Sequence, residues 1–400
     1  MRPKLRPIQQ QWAEQNGKPV LVLRDPLGVT DKVLAVPQPL APLLALCDGS
    51  RDEGAILAAL QIRAGVRLSP QSLSDILCQL DNALLLDNER FAAACKAALE
   101  AYRSAPFRPP CLAGAGYPDS PEILAATLQG QMPAAPPSPA PAIRGVISPH
   151  IDYSRGGVVY GQVWAAAAEA ARQADVVVLF GTDHQGDFSP FTLTRQNYAT
   201  PFGTFPTDRE VVDAVAAAVG EEAAFFDELH HRQEHSIELA LVWLHHVRGG
   251  APCALVPILC GSFEAFVTGE TDPRQDATIM VGIDALRQAL VGRRVLAVAA
   301  ADLAHTGLAF GDPLPAGFVQ RVLGKKADQE LIQAACAGDA DGFFGLIRAE
   351  GDRRHICGLP PIYMMLRLLE PVAGRLIAYD QAQADTQGTS FVSFCGVVLE

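Results

Sequence analysis

One arrangement is written three times in this chain: a short run rich in β-branched and small apolar residues ends, and a histidine follows where the next element begins. Gly145-Val146-Ile147-Ser148 runs into Pro149-His150, Val176 to Phe180 into Gly181-Thr182-Asp183-His184, and Val295 to Ala301 into Asp302-Leu303-Ala304-His305. After the first run a double glycine, Gly156-Gly157, opens a long apolar pattern of helical period from Val158 to about Ala171. A strand that gives way to a helix at a Pro or Gly signal reads as one βα step. In open α/β sheets ligands bind at such junctions, outside the carboxyl ends of the strands.

From Ile143 the alternation continues almost to the end. Strands are expected at 145–148, 176–180, 191–194, 255–260, 295–301, 375–379 and 391–398, and helices at 157–173, 208–219, 234–247, 280–291, 316–337, 340–350 and 360–369. This predicts an α/β fold with a mixed central sheet flanked by helices on both faces. The proline-rich piece from Pro133 to Pro141 reads as a surface loop or semi-rigid spacer.

Residues 1–105 read as a separate module. Val20 to Leu23 looks like a strand, followed by helical patterns at Leu40 to Leu46, Glu53 to Ala64 and Pro70 to Leu85, the last with Ser69 as N-cap. Leu84 to Asn88 then reads as a strand and tight turn, so the expectation is a small winged-helix-like domain. A DNA-reading third helix would carry exposed Lys or Arg, whereas this one carries Asp75 and Asp81. Residues 106–110 read as a linker, leaving 111–400 as the main domain. On that reading residues 109–400 should keep any bound metal without the module.

Charge and composition exclude several classes. A formal charge of −12 argues against an electrostatic nucleic-acid binder and against an anionic membrane surface. No stretch reaches the roughly 18 to 20 apolar residues of a membrane span, and Met1 to Val20 has no apolar signal core. The nine cysteines form no CxxC pair and are odd in number, which reads as free thiols in a reducing compartment, with the cytoplasm expected.

The leading histidines, His150, His184, His235 and His305, are separated by 34, 51 and 70 positions (150 to 184, 184 to 235, 235 to 305). Such gaps exclude a zinc-finger knuckle and suit a site assembled from several strand ends and one helix start. His235 stands in Glu234-His235-Ser236-Ile237-Glu238, at the opening of a helix. His246 shares its helical face but lies about 16 Å away along the axis, too far for the same ion. His230, His231, His245, His246 and His355 are read as packing or hydrogen-bonding residues, the commoner role for any single histidine.

Several segments carry a family resemblance: Pro149-His150-Ile151-Asp152-Tyr153-Ser154, Phe180-Gly181-Thr182-Asp183-His184, Thr200 to Asp208, Glu234-His235-Ser236-Ile237-Glu238, Ala301-Asp302-Leu303-Ala304-His305 and Ile356-Cys357-Gly358. With these, the chain from about Cys111 to Glu400 resembles the Memo-like family, the component called AmmeMemoRadiSam system protein B. Leu44 to Arg51 is similar to the start of PqqD-like modules, which hold peptides. The resemblance implies a fold like the class III extradiol dioxygenases and a redox metal held by three histidines, often with a cysteine. By position the ligands are His150, His184 and His235. Ala304 occupies the cysteine position, Gln185 replaces a second histidine, and Asp152 stands where the family commonly has glycine.

Asp152 is therefore the expected fourth metal ligand, with His305 or an open position as alternatives, and Asp302 and His305 are the expected proton carriers. Imidazoles with a carboxylate suit Fe(II) first, with Cu or Zn as alternatives. Three functions follow: a non-haem iron oxidoreductase, dioxygenase-like, acting on a small organic molecule; a metal-dependent hydrolase or lyase; or a non-catalytic metal- or ligand-binding protein. In the last reading the N-terminal module docks a peptide or a radical SAM partner.

Overall fold

The computed structural model describes residues 2–134, 142–186, 189–269 and 271–400, so most of the proline-rich stretch ending at Pro141 lies outside the described residues. The chain divides into two compact units, Met1–Ala105 and Pro106–Glu400.

In the first unit, strands Gln9–Gln15, Lys18–Arg24 and Leu34–Pro37 form an antiparallel sheet. The first two are joined at Asn16-Gly17, both at positive φ (53° and 71°), the backbone that a two-residue hairpin turn requires. Helices Ala41–Leu46, Glu53–Ala64, Pro70–Asn82 and Glu89–Ser104 follow. Leu23, Ile56, Leu60, Leu73 and Leu85 make the buried core. The wing expected at Leu84 to Asn88 is not a hairpin. Leu86 makes one isolated bridge to Leu5, and the Asn88 side chain accepts the Phe91 N–H as N-cap of a fourth helix. The unit is a small antiparallel sheet followed by helices, with its strands ahead of the helices.

The second unit holds an eight-stranded mixed sheet in the order His305–Gly307, Ser390–Leu399, Gly145–Ser148, Val295–Ala300, Val176–Thr182, Ala254–Cys260, Thr192–Leu193, with Gly374–Gln383 on the outer edge of Ser390–Leu399. The four central strands, 145–148, 295–300, 176–182 and 254–260, run parallel, and the strands flanking them run antiparallel. Parallel strands are covered on both faces, which explains apolar runs without polar alternation. Val176, Val178 and Phe180 enter one hydrophobic cluster, and Val177 and Leu179 enter the cluster on the other side. All seven strands expected in this unit are present. The short strand His305–Gly307 and the two-stranded sheet of Tyr198–Thr200 and Gly203–Phe205 are additional.

Register brings the carboxyl ends level: Ala300 pairs with Ser148 on one side and Gly181 on the other, and Thr182 pairs with Cys260. Residues 149–152, 183–186, 261–264 and 301–305 therefore leave the sheet along one edge. The helix Ser236–Val247 lies against the strand Val176–Thr182 at Gly181, where an added Cβ would meet Ser236 Oγ at 2.6 Å and Ile237 at 2.7 Å. Only glycine permits that approach, and it sets His235 beside the strand end that carries His184.

The segment expected to be a linker is part of this unit. Arg108 is fully buried and ion-paired to buried Glu238, and it donates to the carbonyl oxygens of His231 (2.9 Å) and Glu234 (2.7 Å). Glu238 also accepts from the N–H groups of Cys111 and Leu112 and from Tyr117 Oη. A buried charge needs such full pairing. Residues 106–117 are thereby tied to the helix that begins after His235. Among the described residues no helix is long and apolar enough to cross a membrane.

Candidate metal centre

Three imidazoles meet beyond the sheet edge. Ring centroids of His150 and His184 are 5.1 Å apart, those of His150 and His235 5.7 Å, and those of His184 and His235 4.9 Å. Imidazoles bound to one ion at about 2.0–2.1 Å place their centroids roughly 5 Å apart, and the three rings lie near that spacing.

Each ring has its other nitrogen engaged. His150, buried after Pro149, places Nδ1 2.9 Å from the carbonyl oxygen of Ala300, so Nδ1 carries the hydrogen and Nε2 is left for the cluster. Its backbone N–H donates to Asp302 Oδ1 at 2.9 Å. His184 Nδ1 lies 3.0 Å and His235 Nδ1 3.2 Å from the buried carboxylate of Glu234. Glu234 also accepts from the N–H groups of His184, His235 and Ser236. Carbonyl or carboxylate partners on the far nitrogen fix the tautomer and aim of a ligand histidine and raise its basicity.

A thiol stands beside two of these rings, that of Cys357. Its Sγ lies 3.3 Å from His150 Nε2, and donor atoms of His150, His184 and Cys357 lie within 4.8 Å of one another. A second set, His184, Glu234 and His235, meets the same limit and shares His184. Burial raises the thiol's pKa, but the neighbouring His150 and His305 and hydrogen bonds from His150 and His184 outweigh it and bring it down to about 5. Correspondingly, burial disfavours a charged His150, yet Cys357 and Asp302 raise it to about 9. Burial likewise opposes charge on His184, but Glu234 first and then Cys357 hold its pKa well above the ordinary value. His235 moves the other way, brought down to about 4 by burial against the pull of Glu234. A thiolate is thus ready-made at neutral pH, the form that binds metals.

Asp152, expected as the fourth ligand, is placed otherwise. It is the N-cap of the helix Tyr153–Gln173, accepting from the Arg155 N–H and Ser154 Oγ and ion-paired to the Arg155 guanidinium. Both of its oxygens are committed to the helix start. Ala304 contributes backbone only, exchanging hydrogen bonds with Ser393. His305 spends Nδ1 on the carbonyl oxygens of Leu303 and His355, each at 3.2 Å. Asp302 remains in the site, its Oδ2 3.8 Å from His150 Nε2. The signal for Cys357 was present in Ile356-Cys357-Gly358, just before a helix opened by Pro360-Pro361, but nothing in its spacing ties it to the histidines.

Other histidines are held by the fold. His231 is buried between Tyr198 Oη and the Thr192 carbonyl, His245 between Thr200 Oγ1 and the Gly250 carbonyl, and His230 pairs with Asp183 at 2.9 Å. A cleft of about 560 Å³ opens beside His184 and Cys357, with Phe263, Ile356 and Pro360 among its walls. That volume is ordinary for a small-molecule site.

Comparison with known proteins agrees with this architecture. The family model described as Memo-like protein matches residues 108–398. A MEMO1 family protein of Aquifex aeolicus is 26% identical over 384 residues, spanning 94% of this chain and 95% of its own length. Relatives of the same description occur in Methanosarcina barkeri (27% identical, 74% of this chain and all of the relative) and Thermus thermophilus (28%, 79% and 90%). The Aquifex match takes in most of the first 105 residues as well as the second unit. The chain therefore belongs to the Memo-like protein family.

Proposed function

We propose that this Memo-like protein is a metal-dependent oxidoreductase acting on a small organic molecule. The observation that carries the reading is the clustering of the His150, His184 and His235 rings, with Cys357 Sγ 3.3 Å from His150 Nε2 and donor atoms of His150, His184 and Cys357 within 4.8 Å of one another, beside a cleft that His184 and Cys357 line. The donors fit a first-row transition metal: three imidazoles whose outer nitrogens are already partnered, and one thiolate. Iron is the metal we assign first. The thiolate brings copper back as the nearest rival, and zinc would leave only Lewis-acid chemistry.

Bound iron would supply one-electron exchange with an oxidant and the substrate. The chain supplies the rest. Glu234 orients two imidazoles, the Ala300 carbonyl orients the third, and Phe263 and Ile356 give the cleft apolar wall. Asp302 is the proton acceptor we assign, since its Oδ2 is close to His150 while the Nδ1 of His305 is spent on carbonyls. Aerobic and anaerobic turnover of iron-loaded protein against catechols and small metabolites tests the reading. Oxygen-dependent consumption of one substrate, lost in Asp302→Asn, is expected. Inertness across the panel with iron bound would overturn it.

A further inference from the structure

Cys357 stands just ahead of a helix start, one residue before the N-cap Gly358. It comes from the loop between helices Ala340–Ala349 and Leu359–Leu369, and that loop has an unusual backbone. Asp352 (φ 45°) and His355 (φ 51°) are both left-handed, a conformation that non-glycine residues hold only when their surroundings impose it. What imposes it is visible. Arg354, between the two, is buried, and its guanidinium is ion-paired to Asp328 on the helix Phe318–Cys336 and to Glu350 at 2.8 Å. Tyr379 Oη donates to the other oxygen of Asp328 at 2.8 Å, so the anchor for Arg354 is itself fixed from the sheet edge.

The backbone of the same residue is held as well. The N–H of His305 donates to the Arg354 carbonyl at 2.7 Å, and the His305 ring lies against the His355 carbonyl. Asp352 Oδ1 accepts the Ile356 N–H at 2.8 Å, and Thr182 Oγ1 donates to the Cys357 carbonyl at 3.0 Å. Beyond the cysteine, Gly358 passes so near the Asp302 carbonyl that a Cβ would stand 2.3 Å from it. The loop is clamped along its length, and Arg354 is its buried cationic clamp, paired to two carboxylates. Asp352, Arg353, His355, Ile356 and Cys357 also wall the cleft.

We infer that Arg354 is a positioning residue for the thiolate: locked to Asp328 and Glu350, it holds the loop 351–357 in the left-handed form that delivers Cys357 to His150 and His184. Because one loop carries both the thiolate and a cleft wall, the fourth ligand and the shape of the substrate site are set together. This rests on the metal reading of the three histidines and goes beyond it by assigning the residue that decides whether sulfur joins them.

Cobalt(II) titration of the full-length protein tests it, because a thiolate on cobalt gives a near-ultraviolet charge-transfer band that imidazoles alone do not. Wild type should show the band, and Cys357→Ser should bind cobalt without it. Arg354→Gln should bind cobalt roughly 10-fold more weakly, with most of the band lost, as for partners that orient a ligand. Arg354→Lys, which keeps the charge but reaches one carboxylate, should recover part of the band and serves where the glutamine variant fails to fold. Folded Arg354→Gln or Arg354→Lys with the full band and wild-type affinity would overturn the inference while leaving the metal site standing. A wild type that binds cobalt without the band would overturn the thiolate's place, and one that binds no cobalt would overturn both.

Discussion

Sγ of Cys357 lies 3.3 Å from Nε2 of His150 across 207 positions of sequence, which sets a thiol against the first of the three clustered histidines. The fold reaches this contact from two directions. His150 arrives on the carboxyl end of a central parallel strand, and Cys357 arrives on a loop pinned over that end.

The metal-free protein should carry a reactive thiolate. With Cys357 brought down to about 5, mainly by His150 against the effect of burial, alkylation of this cysteine should be near its plateau at pH 7, unlike that of Cys47, Cys95, Cys111, Cys253, Cys260, Cys336 and Cys395, whose thiols burial pushes up. Peptide mapping after iodoacetamide pulses across pH 4 to 9 reads this directly. His150→Ala should move the midpoint up toward the ordinary thiol range, and added metal should protect the site.

His150→Ala, His184→Ala and His235→Ala should each remove most bound metal while the chain stays folded, because the parallel strands and their covering helices do not depend on it. Asp152→Asn should leave the metal in place. Its cost is to the helix start, at most about 1 kcal/mol, since asparagine also caps. His246→Ala should change neither. Metal content and thermal unfolding of the same preparations separate these outcomes.

Arg108 moves the boundary of the metal-binding unit. A chain beginning at Pro106 should keep metal, whereas one beginning at Leu112 loses the buried partner of Glu238 and the donor to the His231 and Glu234 carbonyls. A chain of residues 109–400 lacks Arg108, so its metal content beside that of the chain from Pro106 decides where the unit begins. Arg108→Gln should destabilise by about 3–5 kcal/mol, the usual effect of leaving a buried charge unpaired, measured by urea unfolding with metal retention as the second readout.

Acid should loosen the second unit through His231. Burial lowers its pKa to about 4, so the unfolded chain takes up a proton near 6.5 that the folded chain refuses. A folded-state pKa that is depressed gives stability present above the unfolded value and lost as pH falls toward the folded one. The loss between pH 7 and pH 5 is on the order of 2 kcal/mol. Urea midpoints at the two pH values should differ less in His231→Gln than in wild type. His150 and His184, raised in the folded state, act in the opposite sense and are common to both proteins.

What the sequence made legible was local. The strand ends at Ser148, Thr182 and Ala300 carry their own signals, an apolar run stopped by Pro, Gly or Asp, so the histidines that follow them were found by pattern. Asn16-Gly17 is an equally good local signal, for the hairpin of the first two strands. Arg108 was hidden by its prolines: the segment looks like a spacer until Glu238, 130 positions on, is known to be its partner. Cys357 was hidden for a different reason. Its position depends on left-handed backbone at Asp352 and His355 and on a buried arginine, and none of these has a period to read. Asp152 misled because a carboxylate after a histidine resembles a ligand and a helix N-cap equally well, and Ser154 and Arg155 decide for the cap.

Elemental analysis of the freshly isolated full-length protein, beside His184→Ala and Cys357→Ser, tests the central claim most directly. Wild type should hold about one transition-metal ion per chain, iron first, His184→Ala nearly none, and Cys357→Ser a reduced amount, all three remaining folded. Wild type devoid of metal even after anaerobic loading, or a metal content unchanged by His184→Ala, would contradict it.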